Sequence, residues 1–420
     1  MKVLQLGVGS VGEVIARTIA REPEISTVVL ADIDAQRVDE VAGAIGAKAQ
    51  RLKLDVNDGE GLARALREVD FAVNALVPRY NLDVMNACLE TATNYLDMAT
   101  AGPRDVVGTA DVDEQLALDA EFRRRDLTAL LCLGIDPGAT DVFARHLYDQ
   151  LDTVERFVVL DGDTGQVEGF DVACSFSPDT MLEECTLPPT SFDHGKSLRY
   201  EPLSRSFEFD FPAPVGRLRV WNTDHEESEL VPWNLSGKGL QNVDFFIHLD
   251  EDWVAIVRAL RKLGLDSTEP LSFKGATFSP REFVVSRLPK AVDLKGHVKG
   301  DVCVGTLAEG SCDGRPVCRY AYQVTSHEEA FARLGVQGTG YQTGIPAAAG
   351  VILFARGVIT QRGTVAPERL DPESFLAEMS RLGCPWQVVD LPPESIAGLR
   401  ACAQEAIAVE EQAKQSQKGA

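Results

Sequence analysis

Gly7, Gly9 and Gly12 follow the spacing GxGxxG and lie between an apolar run and a helical pattern. In such a loop the first glycine permits a tight turn, the second lets a pyrophosphate approach the backbone, and the third lets the helix pack closely. Ser10 and Val11 fall on the first helical turn, whose N–H groups and dipole favour phosphate. The pattern predicts a dinucleotide-binding turn, although a purely structural turn can use the same residues.

Asp32 lies twenty positions beyond Gly12, at the end of a second apolar strand. A carboxylate there accepts hydrogen bonds from the adenosine ribose and repels a 2′-phosphate, so the sequence favours NAD over NADP. The alternative role for Asp32 is to cap the next helix, which Asp34 could do instead. The other residues predicted to contact the dinucleotide follow the second, third and fourth strands and are Ile33, Asp55, Val56, Asn74, Ala75 and Leu76.

Proton transfer is assigned to Asp136 and His225. Asp136 follows the predicted sixth strand, where the carboxyl ends of a parallel sheet form the ligand crevice, and burial can tune its pKa for acid or base work. It could equally cap the helix that begins near Pro137. His225 precedes Glu226 and Glu227, acids that favour its protonated form and could bind an ammonium group. A solvated acidic loop would have the same composition.

Four further residues are assigned to ligand contacts. Asp97, after the fifth strand, is assigned to the cofactor site, and Ser177 is assigned to the substrate. Thr343 and Gly344 precede Pro346 at a predicted helix start, where a hydroxyl and free N–H groups could bind a carboxylate. The alanine-rich continuation of this segment also fits a packing helix. The nine cysteines include no CxxC pair, so no metal site is expected.

These residues need a scaffold that brings them together. As far as Leu133, short apolar runs alternate with amphipathic patterns, and Val11, Val14 and Ile15 share one helix face. Strands and helices that alternate with short connections predict an α/β fold with a Rossmann-type, doubly wound parallel sheet. The candidate residues would then lie at the carboxyl ends of its strands.

Beyond Gly134 the pattern changes to strand-like runs separated by Pro and Gly clusters, which predicts an inserted α+β domain with a mixed, mostly antiparallel sheet. The helical pattern returns near Gly338. The predicted divisions are a dinucleotide-binding Rossmann domain over 1–136, an inserted substrate-binding and dimerisation domain over 137–338, C-terminal helices returning to the Rossmann domain over 339–395, and a polar tail over 396–420.

The net charge and the apolar content argue against nucleic acid and membrane as binding partners. The chain of 420 residues has a formal net charge of −23. An acidic surface repels nucleic-acid phosphates and anionic membrane heads, so neither is expected as a partner. The longest apolar run, over 345–355, is shorter than the ~20 residues of a membrane span. Scattered cysteines are typical of a reducing compartment, so we expect a cytoplasmic protein.

Several segments together resemble the saccharopine dehydrogenase family. They are VLQLGVGSVG at 3–12, VNAL at 73–76, MNACLETATNYLD at 85–97, LGIDPGATDVFA at 133–144, FSPDTMLEE at 176–184, YQTGIPAAAG at 341–350 and RLDPESFLAEMSRLGCPW at 369–386. The likeness extends to about Leu391. Its most specific parts are the DPG and TGIPAA segments.

Members of this family transfer hydride between a nicotinamide and a carbon bonded to nitrogen in amines derived from amino acids, so the resemblance implies such an enzyme. It also implies a Rossmann domain completed from the C-terminus, an inserted mixed-sheet domain and a homodimer. Segments 245–265 and 374–391 are most similar to carboxynorspermidine dehydrogenase members. The second strand, which ends in ADID, is more similar to NAD-dependent lysine 6-dehydrogenase members.

Three functions therefore stand as hypotheses. The first is NAD(P)-dependent hydride transfer with a lysine-, carboxyspermidine- or carboxynorspermidine-like substrate. The second is a catalytically silent, NAD-binding sensor or assembly protein, because a fold does not fix a function. The third is NAD-dependent aminoalkyl transfer with no net redox change. Net oxidation or reduction of the nicotinamide with an amine or imine would distinguish the first from the others.

Overall fold

The computed structural model describes residues 1–100 and 112–402 and the backbone of 408–409. Strands and helices alternate through the first part of the chain. The strands there are β1 (Lys2–Leu6), β2 (Thr27–Asp32), β3 (Ala49–Lys53), β4 (Phe71–Asn74), β5 (Asn94–Leu96) and β6 (Thr128–Leu130). The helices are α1 (Ser10–Ile19), α2 (Ala35–Ile45), α3 (Gly59–Leu66), α4 (Asn81–Thr91), α5 (Asp113–Leu116), α6 (Asp119–Arg124) and α7 (Ala139–Gln150).

The middle of the chain is richer in strands. These are β7 (Thr153–Asp163), β8 (Gln166–Val167), β9 (Thr190–Asp193), β10 (Lys196–Arg199), β11 (Ser206–Asp210), β12 (Arg217–Asn222), β13 (Asn242–His248), β14 (Leu271–Phe273), β15 (Ala276–Phe278), β16 (Val298–Lys299), β17 (Asp301–Cys312) and β18 (Arg315–Ser326). The helices between them are α8 (Pro178–Thr186), α9 (Glu227–Asn234), α10 (Glu251–Leu263), α11 (Pro280–Val285) and α12 (His327–Leu334). The last elements are α13 (Gly338–Ala355), β19 (Gly363–Val365), α14 (Pro372–Arg381), β20 (Trp386–Asp390), α15 (Ala397–Ala401) and β21 (Ala408–Val409).

A seven-stranded sheet with the order β3-β2-β1-β4-β5-β6-β19 forms the first domain. Every neighbouring pair is parallel, and Leu4 on β1 is in register with Val29 on β2 and Ala72 on β4. This order, with the crossover next to β1, is that of a doubly wound dinucleotide-binding fold. The predicted parallel sheet is confirmed.

A second, mixed sheet of ten strands forms the inserted domain. Its main path is β20-β18-β17-β7-β13-β9-β10-β21, and β12 pairs with both β13 and β11. Only β7 and β13 are parallel among the described pairs of this sheet. Asp161 on β7 is in register with Ile247 on β13. The predicted inserted domain with a mostly antiparallel sheet is confirmed.

The C-terminal part contacts both domains. Helix α13 packs on α1, and β19 extends the parallel sheet next to β6, which is a return to the first domain. Strand β20 pairs instead with β18 of the mixed sheet, so the return ends before Trp386. Ile396 and Leu399 of the predicted polar tail are buried in the apolar cluster around Phe207, because their side chains cover the mixed sheet. Tail residues 403–407 and 410–420 lie outside the described residues.

Helix α13 begins at Gly338, six residues before the predicted start at Gly344. Pro346 lies inside the helix rather than marking its beginning. Gly344 is needed where α13 crosses α1, because a Cβ atom there would lie 2.6 Å from the Val14 side chain. Two short helices, α5 and α6, precede β6. The described helices include none with the length and apolar character to cross a membrane.

The α1–α13 crossing leads to a prediction about stability. Gly344→Ala should lower the free energy of unfolding by about 1–3 kcal/mol, because the added methyl group overlaps Val14. Gly43→Ala is the matched control, since Gly43 lies exposed within α2 and no atom is within 4 Å of a Cβ there. The control should be neutral or stabilise by up to about 1 kcal/mol. Urea unfolding measures both variants, and equal losses of stability would contradict a close crossing.

Candidate active site

The loop between β1 and α1 has the geometry of a dinucleotide cradle. Gly7 has a φ of +82°, and a Cβ there would lie 2.6 Å from the Ala75 carbonyl oxygen. A Cβ on Gly12 would overlap the Gly7 carbonyl oxygen. Position 12 must therefore be glycine for α1 to pack this closely against the loop. Gly9 has no atom within 4 Å of a Cβ position, which leaves its backbone open to a ligand. The tight turn at Gly7 and the close packing at Gly12 are those that the spacing predicts. The open backbone at Gly9 leaves room for a pyrophosphate at the start of α1, and its binding there stays a prediction.

Asp32 is held at the end of β2 by two backbone groups. Its Oδ2 accepts a hydrogen bond from Val8 N at 2.9 Å, and its Oδ1 accepts one from Asp34 N at 2.9 Å. The capping alternative for Asp32 is wrong, because Asp34 is the N-cap of α2 and accepts from the first-turn N–H groups. The Asp32 carboxylate therefore lies beside the glycine loop, where a cofactor ribose would bind.

Arg37 lies near the predicted ribose position, and its positive charge is paired with two glutamates. Its guanidinium forms ion pairs with Glu13 at 2.9 Å and Glu40 at 2.6 Å, and it donates a hydrogen bond to Val8 O at 3.0 Å. Glu13 also binds Lys295 of the inserted domain at 2.6 Å. Arg37 and Lys295 are thus engaged by acids rather than presented to a 2′-phosphate.

The residues predicted around the adenine are open to a ligand. Ile33 is 64% exposed directly after Asp32 and presents an apolar side chain next to the ribose position. Asp55 turns back on its own loop, where its Oδ1 accepts from Asn57 N at 3.0 Å and Asn57 Nδ2 at 2.9 Å. Val56 is half-buried beside it. Ile33 can therefore contact an adenine ring, while the Asp55 carboxylate stabilises the turn.

The residues after β4 line the nicotinamide end of the groove. Ala75 and Leu76 contribute to the wall of a cavity there. Asn74 is also on the wall, but its Nδ2 donates to Asn81 Oδ1 at 2.8 Å and Tyr95 OH at 3.1 Å. The Asn74 amide nitrogen is thus occupied in joining β4 to its neighbours, which leaves mainly backbone and apolar surface for the cofactor.

Asp97 lies at the end of β5 and is almost fully buried. Its Oδ1 accepts from Cys132 N at 2.7 Å and its Oδ2 accepts from Gln115 Nε2 at 2.6 Å. Burial raises the pKa of Asp97 to about 7. The side chain lines the cavity, but its oxygens are engaged by the protein, so its part in cofactor binding stays a prediction.

The cavity has a volume of about 260 Å³ and lies between the carboxyl ends of the parallel strands and one face of the mixed sheet. It reaches from Val11 on the glycine loop to Ile247 on β13. Of the described residues on its wall, the acids are Asp97, Asp136, Asp161, Glu183, Glu184 and Glu226. His225 is the one basic side chain among the described wall residues. Such a wall attracts a cationic ligand.

Asp136 is half-buried on this wall. Burial raises the pKa of its carboxyl to about 7, with the charge of His225 opposing the rise and that of Glu227 adding to it. The alternative N-cap role is wrong, because the N-cap of α7 is Gly138, whose N–H donates to Asp141 Oδ2 at 2.8 Å. Asp136 therefore lies on the cavity wall and is not engaged as the N-cap of α7, and its catalytic role stays a prediction.

His225 is fixed beside Asp136 by two contacts. Its Nδ1 lies 2.5 Å from Glu227 Oε2, and its ring stacks on Phe245 at a centroid distance of 3.8 Å. Glu227 is fully buried and its Oε1 accepts from Thr140 Oγ1 at 2.8 Å, so the solvated-loop alternative is wrong. Burial lowers the pKa of His225, but the charge of Glu227 outweighs burial and raises it well above the ordinary value. The bond to Glu227 occupies Nδ1, so Nε2 is the ring atom that His225 can offer a ligand.

Of the residues assigned to the substrate, Glu226, Ser177 and Thr343 lie on the cavity wall and Gly344 does not. Glu226 is on the wall and its Oε1 accepts from Thr100 N at 2.8 Å. Ser177 is on the wall and caps α8. Thr343 is also on the wall, but it and Gly344 lie inside α13, where their N–H groups belong to the helix. The predicted carboxylate site at a helix start is wrong there, and Gly344 faces α1.

The amino-acid sequence matches two domains of one known protein family. Residues 3–130 match the saccharopine dehydrogenase NADP binding domain, and residues 134–384 match the saccharopine dehydrogenase C-terminal domain. The chain belongs to the saccharopine dehydrogenase family. This membership confirms the predicted class, a nicotinamide-dependent oxidoreductase that acts on a small amine.

Curated relatives within the family match nearly the whole chain. The chain is 28% identical over 413 residues to carboxynorspermidine synthase of Vibrio cholerae, covering 94% of this chain and 98% of that protein. It is 29% identical over 392 residues to carboxyaminopropylagmatine dehydrogenase of Synechocystis sp., covering 92% of this chain and 97% of that protein.

Two solved structures have the same architecture. Apo saccharopine dehydrogenase (L-Glu forming) from Saccharomyces cerevisiae has a TM-score of 0.70 at 17% identity, covering 93% of this chain and 100% of that chain. Homospermidine synthase from Legionella pneumophila, in complex with NAD, has a TM-score of 0.70 at 15% identity, covering 93% and 92%. These likenesses establish the saccharopine dehydrogenase fold.

The cavity-wall residues that the sequence did not single out include Asp161 and Thr339. Asp161 ends the apolar run Phe157–Leu160, and an acid continuing such a strand is the one local signal that could have marked it. Thr339 lies in the first turn of α13, whose start was placed too late. His225, Glu226 and Glu227 offer ligand atoms within 4.8 Å of one another, but the His225–Glu227 hydrogen bond already accounts for this grouping.

Proposed function

We propose that the protein is an NAD-dependent oxidoreductase that forms or cleaves a C–N bond in a carboxylated, polyamine-like substrate. The acidic cavity at the nicotinamide end of the cofactor groove, with Asp136 beside a charged His225, is the observation that carries this proposal. The names of two relatives, carboxynorspermidine synthase and carboxyaminopropylagmatine dehydrogenase, support a carboxylated amine as substrate.

The choice of NAD rests on Asp32 and its surroundings. A carboxylate that is fixed beside the glycine loop accepts hydrogen bonds from ribose hydroxyls and repels a 2′-phosphate. Arg37, which could otherwise attract that phosphate, is engaged by Glu13 and Glu40. These contacts favour NAD over NADP.

The proposed chemistry assigns the proton to Asp136. A bound nicotinamide supplies or accepts the hydride. For reduction the substrate imine must be protonated on nitrogen, and the neutral carboxyl of Asp136 can donate that proton. For oxidation the amine must lose a proton, and the Asp136 carboxylate can accept it. His225, held by Glu227, opposes the rise in the Asp136 pKa, which keeps both forms of the carboxyl populated near neutral pH.

This assignment predicts the pH dependence. Because the Asp136 pKa is raised to about 7, oxidative kcat/KM should fall as the pH drops below that value, where the carboxyl can no longer accept a proton. Reductive kcat/KM should fall as the pH rises above it, where the carboxyl can no longer donate. Initial rates across neutral pH measure both limbs. The inflection should disappear in Asp136→Asn, and its persistence there would assign it to another group.

An absorbance screen of the reduced nicotinamide tests the proposed function. The oxidative arm contains lysine, saccharopine, spermidine and carboxylated polyamines, and the reductive arm combines a semialdehyde with a diamine. We expect NADH consumption that requires both the semialdehyde and the diamine. Tight NAD binding with no turnover of any substrate would favour the silent sensor, and product without net loss of NADH would favour aminoalkyl transfer.

We also propose a homodimer and a cytoplasmic location. The hairpin β14–β15 pairs with no other described strand and leaves Leu271 and Phe273 exposed, with Phe283 exposed nearby, which supports association of two chains. All nine cysteines are free thiols, which supports a reducing compartment. Light scattering in solution tests the dimer, and a mass of one chain would contradict it.

A further inference from the structure

A second cavity of about 90 Å³ adjoins the catalytic cavity. The two share three wall residues, Asp161, Ile247 and Thr339. Beyond this junction most of the wall is apolar, including Met181 and Trp253, and its acidic and basic residues are Asp163, His248 and Asp250. The space is well above the roughly 10–15 Å³ that one water molecule needs. The catalytic cavity thus has a narrow, mainly apolar extension that begins at Asp161.

Two polar atoms at the junction have no partner within the described part of the chain. They are Oδ1 of Asp161, a residue that is only 8% exposed, and Oγ1 of Thr339. Buried polar groups are normally hydrogen-bonded, and an unsatisfied carboxylate oxygen is costly in a protein interior. A carboxylate oxygen and a hydroxyl oxygen together can accept two N–H groups of one ammonium.

The charge around the junction also favours a cation. Burial raises the pKa of Asp161 well above its ordinary value, and the carboxylates of Asp136, Asp163 and Glu184 raise it further, while His225 opposes them. An ammonium group beside Asp161 would stabilise its ionised form in place of the proton. A carboxylate in the same position would be repelled by these acids.

We propose that Asp161 and Thr339 bind a second ammonium group of the substrate, and that the adjoining cavity holds the aliphatic chain beyond it. The substrate is then a linear diamine or polyamine whose first nitrogen reacts near Asp136. This inference rests on the proposed function, since it concerns the far end of the same substrate.

The strand geometry supports a chain with regularly spaced nitrogens. Asp161 and Asp163 are two residues apart on β7, so their side chains leave the same face of the sheet about 6.8 Å apart. Oδ1 of Asp163 already accepts from Gly165 N at 2.6 Å and from His327 Nε2 at 3.0 Å, which fixes it at the wall of the second cavity. The apolar side chains on the wall of the second cavity, such as Met181 and Trp253, suit methylene groups. An amino acid whose far end carries a carboxylate, as in saccharopine, is disfavoured.

Calorimetric titration of the NADH-loaded protein with putrescine and with butylamine tests the inference. These probes have the same carbon chain and differ in the second amine. Wild-type protein should bind putrescine at least about tenfold more tightly, since hydrogen bonds to charged groups contribute this much. Asp161→Asn should lose most of that preference and keep its affinity for butylamine. Thr339→Val, which replaces the hydroxyl with a methyl group of similar size, should lose part of the preference.

The control is Asp210→Asn, which removes one carboxylate at the end of β11, on the wall of neither described cavity, and should keep the full preference. Equal affinity of the wild type for the two probes would overturn the inference, as would a full preference in both Asp161→Asn and Thr339→Val. A different result would refute the proposed function. A protein that prefers putrescine through Asp161 but turns over no amine would refute the function and retain the binding site.

Discussion

Asp136→Asn should lower kcat by about 10²–10⁴-fold and leave NADH binding within about twofold of wild type. The substitution keeps the size of the side chain and removes its ability to exchange a proton at the substrate nitrogen. Cofactor affinity should be preserved, because Asp136 lies on the cavity wall while the pyrophosphate and ribose positions lie at the glycine loop and Asp32. Initial rates and fluorescence titration with NADH measure the two quantities.

Asp210→Asn again serves as the control, because it is the same chemical change at the exposed end of β11 and should leave kcat unchanged. Near-normal turnover by Asp136→Asn would show that the carboxyl does not carry the proton. If His225→Gln alone lost activity in that case, the role would pass to the imidazolium, which Glu227 holds on the same wall.

Asp32→Ser should reverse much of the cofactor preference. We expect wild-type kcat/KM to be about 100-fold higher with NAD than with NADP, and the variant to lose about tenfold with NAD and to gain with NADP. The serine hydroxyl can still contact the ribose, but the substitution removes the carboxylate charge that repels a 2′-phosphate. Steady-state rates with both cofactors measure the ratio.

The control for this variant is Asp39→Ser, which removes one negative charge from exposed α2, where Asp39 pairs with Arg51 at 2.8 Å. It should leave the cofactor ratio within about twofold. The result matters because the matched family domain is described as NADP binding, whereas the contacts of Asp32 and Arg37 favour NAD. Equal use of both cofactors by wild type, or an unchanged ratio in Asp32→Ser, would contradict the NAD assignment.

The parts of the site that depend on local backbone requirements could be predicted from the sequence. Gly7 must have a positive φ and Gly12 must lie against the Gly7 carbonyl, so their spacing between a strand and a helix, with Asp32 beyond, indicates the cradle. His225 and Glu227 are two residues apart, so their pairing could be expected as well. Their burial could not, because a run of charged residues has the same composition in a solvated loop and in a packed wall.

The start of α13 shows where local patterns fail. Its first turns contain Gly338, Gly340 and Gly344, which have low helix propensity, and Pro346 is a common residue at the beginning of a helix. Packing against α1 requires small residues and stabilises the helix despite these preferences. The predicted start was therefore too late.

Contacts between distant segments were beyond the sequence analysis for a different reason. Asp161 and Thr339 belong to β7 and α13, and they meet only because α13 returns from the C-terminal part of the chain to the first domain. No spacing in the sequence encodes that approach. The junction between the two cavities is thus a property of the tertiary fold.

The most direct test of the proposed amine oxidoreductase is the fate of deuterium from NADH labelled at its transferable position. The protein is incubated with labelled NADH, a semialdehyde and a diamine, and the products are examined by mass spectrometry. We predict a carboxylated secondary amine that is heavier by one deuterium and forms only when both the semialdehyde and the diamine are present. An unlabelled amine product, or labelled NADH that stays unconsumed with every diamine tested, would contradict it.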